Sequence, residues 1–436
     1  MDINSAKKQP PTILVVNFHS ACNAGDAALL ESAIRQLRSS FVEPRIVVSA
    51  NYPDESYIHS LDVQAIPSFG ALIGLNRKPA WQQVPCAILG IAMSGIAASL
   101  PRAWKRMVRR FPDGWQKFVD AYREADLVVN CPGNQFFTMG VFGWPLLISA
   151  ASIFCAHLFK KPVYVLPQSI GPLQRRWERY LLKWLLTRVR IVFVREPLSL
   201  RLARDLGLPT EKVKFSPDLA FESPYVDRDC AFAFLERLGY DDSKGAVGLT
   251  VIGRMTGSLK EEWFGLYYSA LAVALERLVQ KYGVKIYFFP QVTGPTRQED
   301  DRIAARKVAE QMKDVMGNIV IVDEPLSPAM LKGLYGLMDI FVATRMHSGI
   351  FASSMGVPTL FVGYLTKIRG MVESLDLQDW LIELDEVEET CLWEKLEKLW
   401  LQRDVLRRRL LDIMPQVVER THQVGVLIAE DYNGKA

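Results

Sequence analysis

The stretch from residue 339 to residue 360 places an arginine and a histidine two positions apart, where an apolar run gives way to small residues. Asp339–Ala343 has the pattern of a short buried strand, and the small residues after His347 predict a helix that Gly356 ends. A helix that begins directly after a strand points its backbone N–H groups at the strand's carboxyl end, which favours an anion there. Arg345 adds a planar donor for a carboxylate or phosphate, and His347 adds a group that exchanges a proton near neutral pH. The alternative is an ordinary turn whose two side chains lie on the surface.

A second small-residue loop follows the first apolar run of the chain, residues 12–17, and carries Asn23, Gly25 and Asp26 before a helical pattern begins. In a doubly wound sheet, ligands bind outside the carboxyl ends of the strands, so this loop is a candidate binding segment. It lacks the G-x-G-x-x-G fingerprint, so we predict no dinucleotide site there. The competing interpretation is that Asn23 or Asp26 only caps the helix.

Three further polar side chains, Asn134, Gln168 and Arg195, come at or just beyond the ends of other predicted strands. We predict strands at 125–130, 162–166 and 191–194, with the polar residues in the loops that follow them. Alternation of strands and helices predicts a mostly parallel sheet with helices on both faces. The polar loops would then gather at one edge.

The strand–helix alternation occurs twice, which predicts two Rossmann-like lobes. The first spans residues 12–225, is interrupted by an apolar and basic insertion at 65–120, and is the expected acceptor side. The second spans 245–385, and residues 386–436 form a charged helical segment that packs back on the lobes. Two α/β lobes with mostly parallel sheets and a cleft between them form a GT-B-like arrangement, with ligands between facing strand ends.

Composition narrows the class of protein. With 436 residues, 49% hydrophobic and 23% charged, the chain is globular, and a net charge of only +4 gives no case for nucleic-acid binding. The six cysteines form no C-x-x-C pair, which argues against a zinc site and a disulfide framework. No carboxylate cluster indicates a metal, so a metal-independent activity without a cofactor is predicted. The first eleven residues lack a signal-peptide pattern, so we expect a cytoplasmic protein.

The insertion contains an uncharged stretch, residues 79–101, followed by the basic run 102–110. The uncharged stretch is Gly-, Ala- and Ser-rich and contains Pro85, so it is a poor membrane-spanning helix. We predict a buried helix pair. The alternative is an interfacial hairpin that gives residues 79–110 a peripheral contact with the inner face of a membrane. The tryptophan-rich amphipathic helix at 175–188 could lean on the same surface, although a solvated face is the default.

Taken together, the motifs resemble the polysaccharide pyruvyltransferase family. The matching pieces, in order, are Asn23-Ala-Gly-Asp26, Leu166-Pro-Gln-Ser-Ile-Gly-Pro172, Val194-Arg-Glu-Pro-Leu-Ser199 with Asp205-Leu-Gly207, Ser216-Pro-Asp-Leu-Ala-Phe221, Thr344-Arg-Met-His-Ser-Gly-Ile350, Gly356-Val-Pro358 and Tyr364-Leu-Thr-Lys367. Two positions depart from the family pattern. Ala27 stands where a Glu is frequent, and Cys131-Pro-Gly133 stands where a Gly-Gly pair is frequent. Both lie on the acceptor side.

The resemblance implies transfer of pyruvate from phosphoenolpyruvate onto two hydroxyls of a glycan or lipid-linked sugar, forming a cyclic ketal. It assigns phosphoenolpyruvate contacts to Arg195, Arg345 and His347. We add Met346 and Lys367 to this donor site, and the alternative for Lys367 is a solvated surface lysine. Asn23, Gly25, Asn134 and Gln168 would bind the acceptor, and Asp26 and His347 are the candidate acid and base. For His347 the alternative is a phosphate-binding donor without proton transfer.

The chemistry asks for such groups, because phosphoenolpyruvate carries a carboxylate and a phosphate close together. Two arginines from opposite lobes and a helix N-terminus can neutralise and orient it. Two other functions stay open. One is a nucleotide-sugar glycosyltransferase on the same fold, with Arg345 on a diphosphate. The other is a non-catalytic glycan-assembly protein.

Overall fold

The computed structural model describes residues 10–75, 77–99, 111–138, 143–253, 261–364 and 366–434. Two parallel sheets organise the chain. Within the described ranges the first sheet contains β1 (Thr12–Phe18), β2 (Arg45–Ala50), β3 (Gln64–Pro67), β4 (Leu127–Asn130), β5 (Gly133–Phe136), β6 (Val163–Ile170), β7 (Ile191–Val194) and β8 (Val213–Phe215). Its strand order is β3-β2-β1-β4-β6-β7-β8, and β5 pairs with β6 beyond the end of β4.

The second sheet is also parallel and has the order β11-β10-β9-β12-β13-β14. Its described strands are β9 (Ala246–Thr250), β10 (Lys285–Phe288), β11 (Ile319–Ile321), β12 (Ile340–Ala343), β13 (Thr359–Gly363) and β14 (Leu381–Glu383). Strand β12 is central and fully buried, which is why Ile340–Ala343 is a continuous apolar run rather than an alternating one.

Helices cover both sheets. The first lobe contains α1 (Ala24–Ser40), α2 (Ser56–Ser60), α3 (Phe69–Ile73), α4 (Ala80–Ser99), α5 (Asp113–Glu124), α6 (Trp144–Leu158), α7 (Arg176–Leu186) and α8 (Pro197–Asp205). The connection and the second lobe contain α9 (Arg228–Glu236), α10 (Glu261–Tyr282), α11 (Asp301–Ala309), α12 (Pro328–Tyr335), α13 (Met346–Ser354) and α14 (Thr366–Ser374). The chain ends with α15 (Glu389–Gly434).

The last helix joins the lobes. Helix α15 is 46 residues long and packs against α10 of the second lobe and α1 of the first. It accounts for most of the charged helical segment expected at residues 386–436, and it continues through Pro415. The apolar residues along α15, among them Leu396, Leu410 and Ile428, are buried in both lobes, and this burial holds the helix together past the proline.

Alternate residues of β1 enter two different cores. Ile13 and Val15 belong to a core that runs through the second lobe, whereas Leu14 and Val16 belong to a core on the other face of the first sheet. This follows from the two-residue repeat of a strand. The shared core ties the first sheet to the second lobe, so the edge where the strands of both sheets end is a fixed cleft.

Two sequence-based expectations are wrong in detail. Strand β6 extends through Gln168 to Ile170, and residues 133–136 form the short strand β5, so neither segment is a free loop. The uncharged stretch forms one helix, α4, over its described residues, and much of α4 is exposed, so the burial expected for it is wrong; the rest of the predicted helix pair lies outside the described residues. Pro85 lies in the second turn of α4, where the missing N–H removes a single intrahelical bond. The basic run 102–110 lies outside the described residues.

Helix α4 is long and apolar enough to cross a membrane by length and composition, and 28% of its apolar window is buried in the protein.

Candidate active site

The turn between β12 and α13 carries the arginine and histidine. Arg345 is the N-cap residue of α13, with an extended backbone, and His347 lies in the first helical turn. The neighbouring hydroxyls anchor the turn: Ser348 Oγ donates to the carbonyl of Arg345, 2.7 Å away. A Cβ on Gly349 would lie 2.3 Å from the ring of Phe361. The small residues therefore let α13 approach β13, rather than leaving space for a ligand.

Arg345 is fixed by a buried carboxylate. Its Nε and Nη2 donate to Oδ1 of Asp301 at 3.1 and 2.6 Å. Tyr364 is a further hydrogen-bond partner, and although burial opposes the charge, the carboxylate of Asp301 raises the pKa of Arg345 above its usual value. The guanidinium is charged, rigid and partly exposed to the cleft.

Arg195 reaches the same cleft from the first lobe, directly after β7. Its Nε donates to Ser169 Oγ at 2.8 Å, and its Nη1 donates to Asp218 Oδ2 at 2.6 Å. Its side chain is 2% exposed. Among the described residues its Nη2 has no hydrogen-bond partner, so one arm of the guanidinium remains available to a ligand.

His347 is held between the lobes. Its Nε2 lies 3.8 Å from Asp218 Oδ2, is buried, and makes no hydrogen bond to any described residue. A Cβ on Gly25 would lie 2.0 Å from its Nδ1, so the imidazole packs directly on the glycine of α1. Burial lowers the pKa of His347 to about 3, with the carboxylate of Asp218 opposing and the cations Arg195 and Lys367 adding to the shift. The ring is therefore neutral at physiological pH.

Asp26 and Lys367 complete the charged set, and both are partly exposed to the cleft. Burial raises the pKa of Asp26, and nearby cations partly offset that change. Burial, and next Arg195, lower the pKa of Lys367 to about 8. Asn23 caps α1, because its side chain accepts a hydrogen bond from the N–H of Gly25 at 3.0 Å. The capping interpretation is thus correct for Asn23, which also faces the cleft.

The β1–α1 loop is tied to the second lobe by backbone hydrogen bonds. The N–H of Ala24 donates to the carbonyl of Gln291 at 3.0 Å, and the N–H of Thr293 donates to the carbonyl of Cys22 at 2.9 Å. These bonds cross from one lobe to the other. They keep Asn23 and Asp26 opposite the β12–α13 turn.

The cleft between the lobes holds about 410 Å³ of atom-free space, including its opening to solvent. That volume suits a small molecule. The lining residues are Asn23, Asp26, Gly133, Asn134, Arg195, Gln291, Arg345, Met346, His347, Tyr364 and Lys367. The structure thus brings together most of the residues singled out in the sequence, from both lobes.

Two of the predicted residues lie behind the cleft. Gly25 supports the His347 ring, as described above. Gln168 is fully buried in β6; its Nε2 donates to the carbonyl of Cys131, and its Oε1 accepts from the N–H of Gln135 at 3.2 Å. The expected acceptor contact of Gln168 is not supported. The residue instead holds the segment that presents Gly133 and Asn134.

Five residues at or beside the cleft were missed, one of which is Gly133 at the start of β5. Gln291 lies just beyond β10, and that position is a signal the sequence did contain. Asp218 and Tyr364 belong to recognised motifs without an assigned role, and both contact the arginines. Asp301 opens α11, where an acidic residue is ordinary for a helix start, so no sequence signal distinguished it.

A second cavity, of about 680 Å³ of atom-free space including its opening, adjoins the first because Tyr364 lines both. Trp263 and Arg369 line it, together with the carboxylates of Glu383 and Asp385. An aromatic face beside carboxylate acceptors suits a polyhydroxylated ligand.

In the part of the chain that the structure describes, no three His, Cys, Asp or Glu side chains come together to hold a metal ion. Metal independence stays a prediction.

Comparison with known proteins assigns the family. The family model for polysaccharide pyruvyl transferase matches residues 23–366. The chain belongs to this family. The match begins at the N-cap of α1 and includes every residue of the cleft except Lys367. One relative of this chain is the amylovoran biosynthesis protein AmsJ of Erwinia amylovora. The two are 23% identical over 381 residues, which cover 84% of this chain and 86% of AmsJ.

Solved structures of the same fold include the S. aureus MnaA–UDP co-structure (TM-score 0.62, 12% identity, 98% of each chain). A glycosyltransferase from Rickettsia africae ESF-5 has a TM-score of 0.59 at 12% identity, covering 98% of this chain and all of the other. Anabaena Alr3699/HepE in complex with UDP-glucose has a TM-score of 0.57 at 12% identity, with the same coverage. These similarities confirm the GT-B-like fold predicted for this pyruvyl transferase.

Proposed function

We propose that this polysaccharide pyruvyl transferase moves pyruvate from phosphoenolpyruvate onto two hydroxyls of a sugar in a polysaccharide or its lipid-linked precursor. The products are a cyclic ketal and phosphate. The observation that supports the proposal is the convergence of Arg195, from the first lobe, with Arg345 and Lys367, from the second, on one cleft beside His347. A cytoplasmic location is part of the proposal.

The cleft suits a small anion with two charged groups. Arg345 and Lys367 stand near the N-terminus of α13, where the helix dipole also favours negative charge. Arg195 offers its Nη2 from the other side. Because Asp218 and Asp301 already hold the arginines in place, little side-chain entropy is lost when the anion binds.

The proposed reaction is balanced by the two hydroxyl protons of the acceptor. One proton ends on the methylene carbon of phosphoenolpyruvate, which becomes the methyl group. The first sugar oxygen bonds to the adjacent carbon, the bond from that carbon to the phosphate oxygen breaks, and the second sugar oxygen forms the remaining bond. The second proton leaves with the phosphate. Each transfer is a step at which a positioned acid or base typically supplies a factor of about 10²–10⁴.

Asp26 and His347 suit these proton transfers in different ways. Burial raises the pKa of Asp26, which favours a protonated carboxyl that can act as an acid. His347 is neutral, and its Nε2 has no partner among the described residues, so it can accept a hydroxyl proton. An anion bound beside the ring would raise its pKa and strengthen it as a base. A role as a phosphate-binding donor remains the alternative for this histidine.

The acceptor sugar would lie on the side of the cleft formed by Asn23 and Asn134, whose amides can bond sugar hydroxyls. The second cavity, reached past Tyr364, would hold the neighbouring sugars of the glycan against Trp263. Because Tyr364 lines both cavities, a glycan bound in this way would lie beside the donor anion.

Incubation of the purified protein with phosphoenolpyruvate and candidate glycans, followed by mass spectrometry, tests the proposal. A pyruvate ketal on the glycan and stoichiometric free phosphate are expected. Thermal stabilisation should appear with phosphoenolpyruvate and not with a panel of sugar nucleotides. Stabilisation by a sugar nucleotide alone would instead indicate a glycosyltransferase.

Arg345→Gln should abolish stabilisation by phosphoenolpyruvate, because the bidentate donor is lost. Arg277→Gln is the matched control, since Arg277 is exposed and its guanidinium bonds to Glu389 on the surface. If Arg345→Gln and His347→Ala both leave ketal formation intact, the cleft is not the catalytic site.

A further inference from the structure

The outward face of α4 is apolar. Its exposed positions recur at helical spacing and form one stripe, which we call the α4 stripe: Trp81, Val84, Pro85, Ile88, Leu89, Ala92 and Ile96. Ile88 and Leu89 are 65% and 60% exposed. The opposite face, with Met93, Ser94 and Ala97, is buried against the protein. A helix with its apolar side toward solvent reverses the usual pattern and marks a contact surface.

Helix α4 forms an outer layer of the first lobe. It packs on α3, α5 and α6, and α6 in turn packs on the sheet. Gln83 accepts a hydrogen bond from the indole of Trp144 at the start of α6, and Ser94 bonds Cys155 near its end. The two helices therefore run side by side in the same direction, with the α4 stripe facing away from the lobe.

Helix α7 lies on the other side of α6 and exposes an aromatic and basic face. Its exposed positions, the α7 face, are Arg176, Trp177, Tyr180, Lys183 and Trp184. The ring of Trp184 lies 5.8 Å from that of Phe154 in α6. The guanidinium of Arg188 covers Trp184 at 4.2 Å. Tryptophan and tyrosine beside lysine and arginine are the residues that proteins place at the headgroup level of a bilayer.

The charge of the segments that contain α4, α6 and α7 is one-sided. Residues 77–99 contain two basic residues and no acidic one, and residues 143–188 contain seven basic residues and one acidic residue, Glu178. Glu178 is fully buried, where its carboxylate accepts from Thr138 Oγ1 at 3.0 Å. The surface thus offers apolar and positively charged groups with no exposed carboxylate in these segments.

We propose that the α4 stripe and the α7 face together bind the surface of an anionic phospholipid bilayer. The apolar stripe enters the boundary between headgroups and acyl chains, and the basic residues attract the anionic headgroups. Burial of Met93 and Ala97 against the lobe keeps α4 lying along the surface instead of crossing the bilayer.

The charge pattern disfavours a second copy of this chain as the occupant. A two-fold symmetric interface sets a patch against its own copy, so an interface that included the α7 face would set basic residues of one copy against basic residues of the other. An anionic bilayer removes that repulsion.

The position of the surface has a consequence for the cleft. The N-terminal ends of α4 and α6 carry Trp81 and Trp144, and α6 is the next described helix after β5, whose first residues, Gly133 and Asn134, line the cleft. The membrane would therefore lie against the lobe that supplies Asn134 to the cleft. If the proposed function holds, an acceptor sugar attached to a lipid would approach the cleft from this lobe. The bilayer binding itself does not depend on that function.

Co-sedimentation of the full chain with vesicles tests the proposal. Vesicles of phosphatidylcholine with about one-third phosphatidylglycerol should bind the protein. Binding to vesicles of phosphatidylcholine alone should be at least about tenfold weaker, because the charge attraction is lost. Binding to the anionic vesicles at high salt should be weaker to the same extent, because salt screens that attraction. Equal binding to both vesicle types, or no binding to the anionic ones, would overturn the proposal.

Ile88→Glu with Leu89→Glu should reduce binding to the anionic vesicles by at least about tenfold, since two apolar side chains no longer enter the bilayer. Leu401→Glu with Val405→Glu is the matched control, because these residues are 65% and 64% exposed on α15. The control should bind as the unmodified chain does. Circular dichroism confirms that both variants are folded. An equal loss in both variants, or no loss in the α4 variant, would show that the stripe is not the contact.

Analytical ultracentrifugation without lipid distinguishes a stripe that binds lipid from one that binds another protein molecule. A monomer, or an oligomer that the Ile88→Glu/Leu89→Glu variant retains, agrees with a stripe left open for lipid. An oligomer that this variant dissociates would mean that the stripe is a protein interface, and would overturn the proposal.

Discussion

At the scale of single residues, the cleft combines a neutral histidine with three cations. Arg195, Arg345 and Lys367 surround His347, and burial keeps the imidazole uncharged. Each arginine is held by a buried carboxylate, at 2.6 Å in both cases. Such pairs fix the geometry of the donors, and breaking one would leave an uncompensated buried charge. The positions of the two arginines and the protonation state of His347 are thus fixed in the ligand-free protein.

Gly25→Ala tests the position of the histidine without removing it. The new Cβ would lie 2.0 Å from Nδ1 of His347, so the ring must move out of place. We expect ketal formation to fall by about 10²-fold or more, the lower limit for loss of a positioned acid or base. Gly265→Ala is the control, because its Cβ would meet nothing within 4 Å. Steady-state kinetics with a folded Gly25→Ala variant checks the expectation, and full activity would contradict it.

The charge of Lys367 should appear in the pH dependence of phosphoenolpyruvate binding. Burial lowers the pKa of this ammonium to about 8 in the free protein. As the pH rises through that value the positive charge is lost, so the KM for phosphoenolpyruvate should rise between about pH 8 and 9. Lys367→Gln should have a higher KM throughout and no such rise. A wild-type KM that is constant over this range would show that Lys367 does not contact the anion.

At the scale of elements, the loops at the strand ends of one lobe meet those of the other. The β1–α1 loop bonds to the segment after β10 through the backbone of Ala24 and Thr293, so the two halves of the cleft keep a constant separation. Beyond the cleft, the start of α10 and the end of β14 form the second cavity. These elements bind the rest of the glycan in the proposed reaction.

The kinetics of Trp263→Ala, near the start of α10, distinguish the role of the second cavity from that of the cleft. The indole offers a flat apolar face to a sugar ring, worth on the order of 1–3 kcal/mol for a buried aromatic contact. We expect the KM for an oligosaccharide acceptor to rise about tenfold, while the KM for phosphoenolpyruvate stays the same. Phe215→Ala, at an exposed aromatic on β8, provides the comparison. A change in the phosphoenolpyruvate KM alone would place Trp263 on the donor side.

At the scale of the whole molecule, a buried lysine forms hydrogen bonds that hold residues 221–223, between the two lobes, in position. Lys332 of α12 donates to the carbonyls of Phe221 and Ser223, each at 2.8 Å. These carbonyls follow Asp218, the partner of Arg195, so the lysine supports the segment that supports the cleft. Helix α15 adds a second connection, since it packs on α1 and α10.

Stability should depend on pH through Lys332. Burial lowers its folded pKa to about 7 from the ordinary value of 10.5, so between these values the unfolded chain binds more protons than the folded one. The free energy of unfolding should therefore gain up to about 1.4 kcal/mol per pH unit from this group as the pH rises above 7. Lys332→Met should remove that slope, and the exposed Lys307→Met should retain it. Urea unfolding at pH 7, 8 and 9 measures the difference. Parallel slopes in all three proteins would contradict the assignment.

The sequence alone determined the two-lobed fold and most of the cleft. Asn23, Asp26, Asn134, Arg195, Arg345 and His347 stand near the ends of apolar strands, and parallel strands bring their carboxyl ends to one edge whatever the details of packing. Met346 and Lys367, which were predicted from the motifs that contain them, also line the cleft. These features depend on local pattern, which a single sequence contains.

Only the tertiary structure decided which groups are paired, which are neutral and which elements face solvent. The bonds from Arg195 to Asp218 and from Arg345 to Asp301 join segments far apart in the chain, and the low pKa of His347 comes from burial between the lobes. The structure also shows that Gln168 lies within β6 and that the apolar face of α4 is exposed to solvent. Burial and pairing are properties of the assembled molecule, because they depend on neighbours that the folded chain brings together.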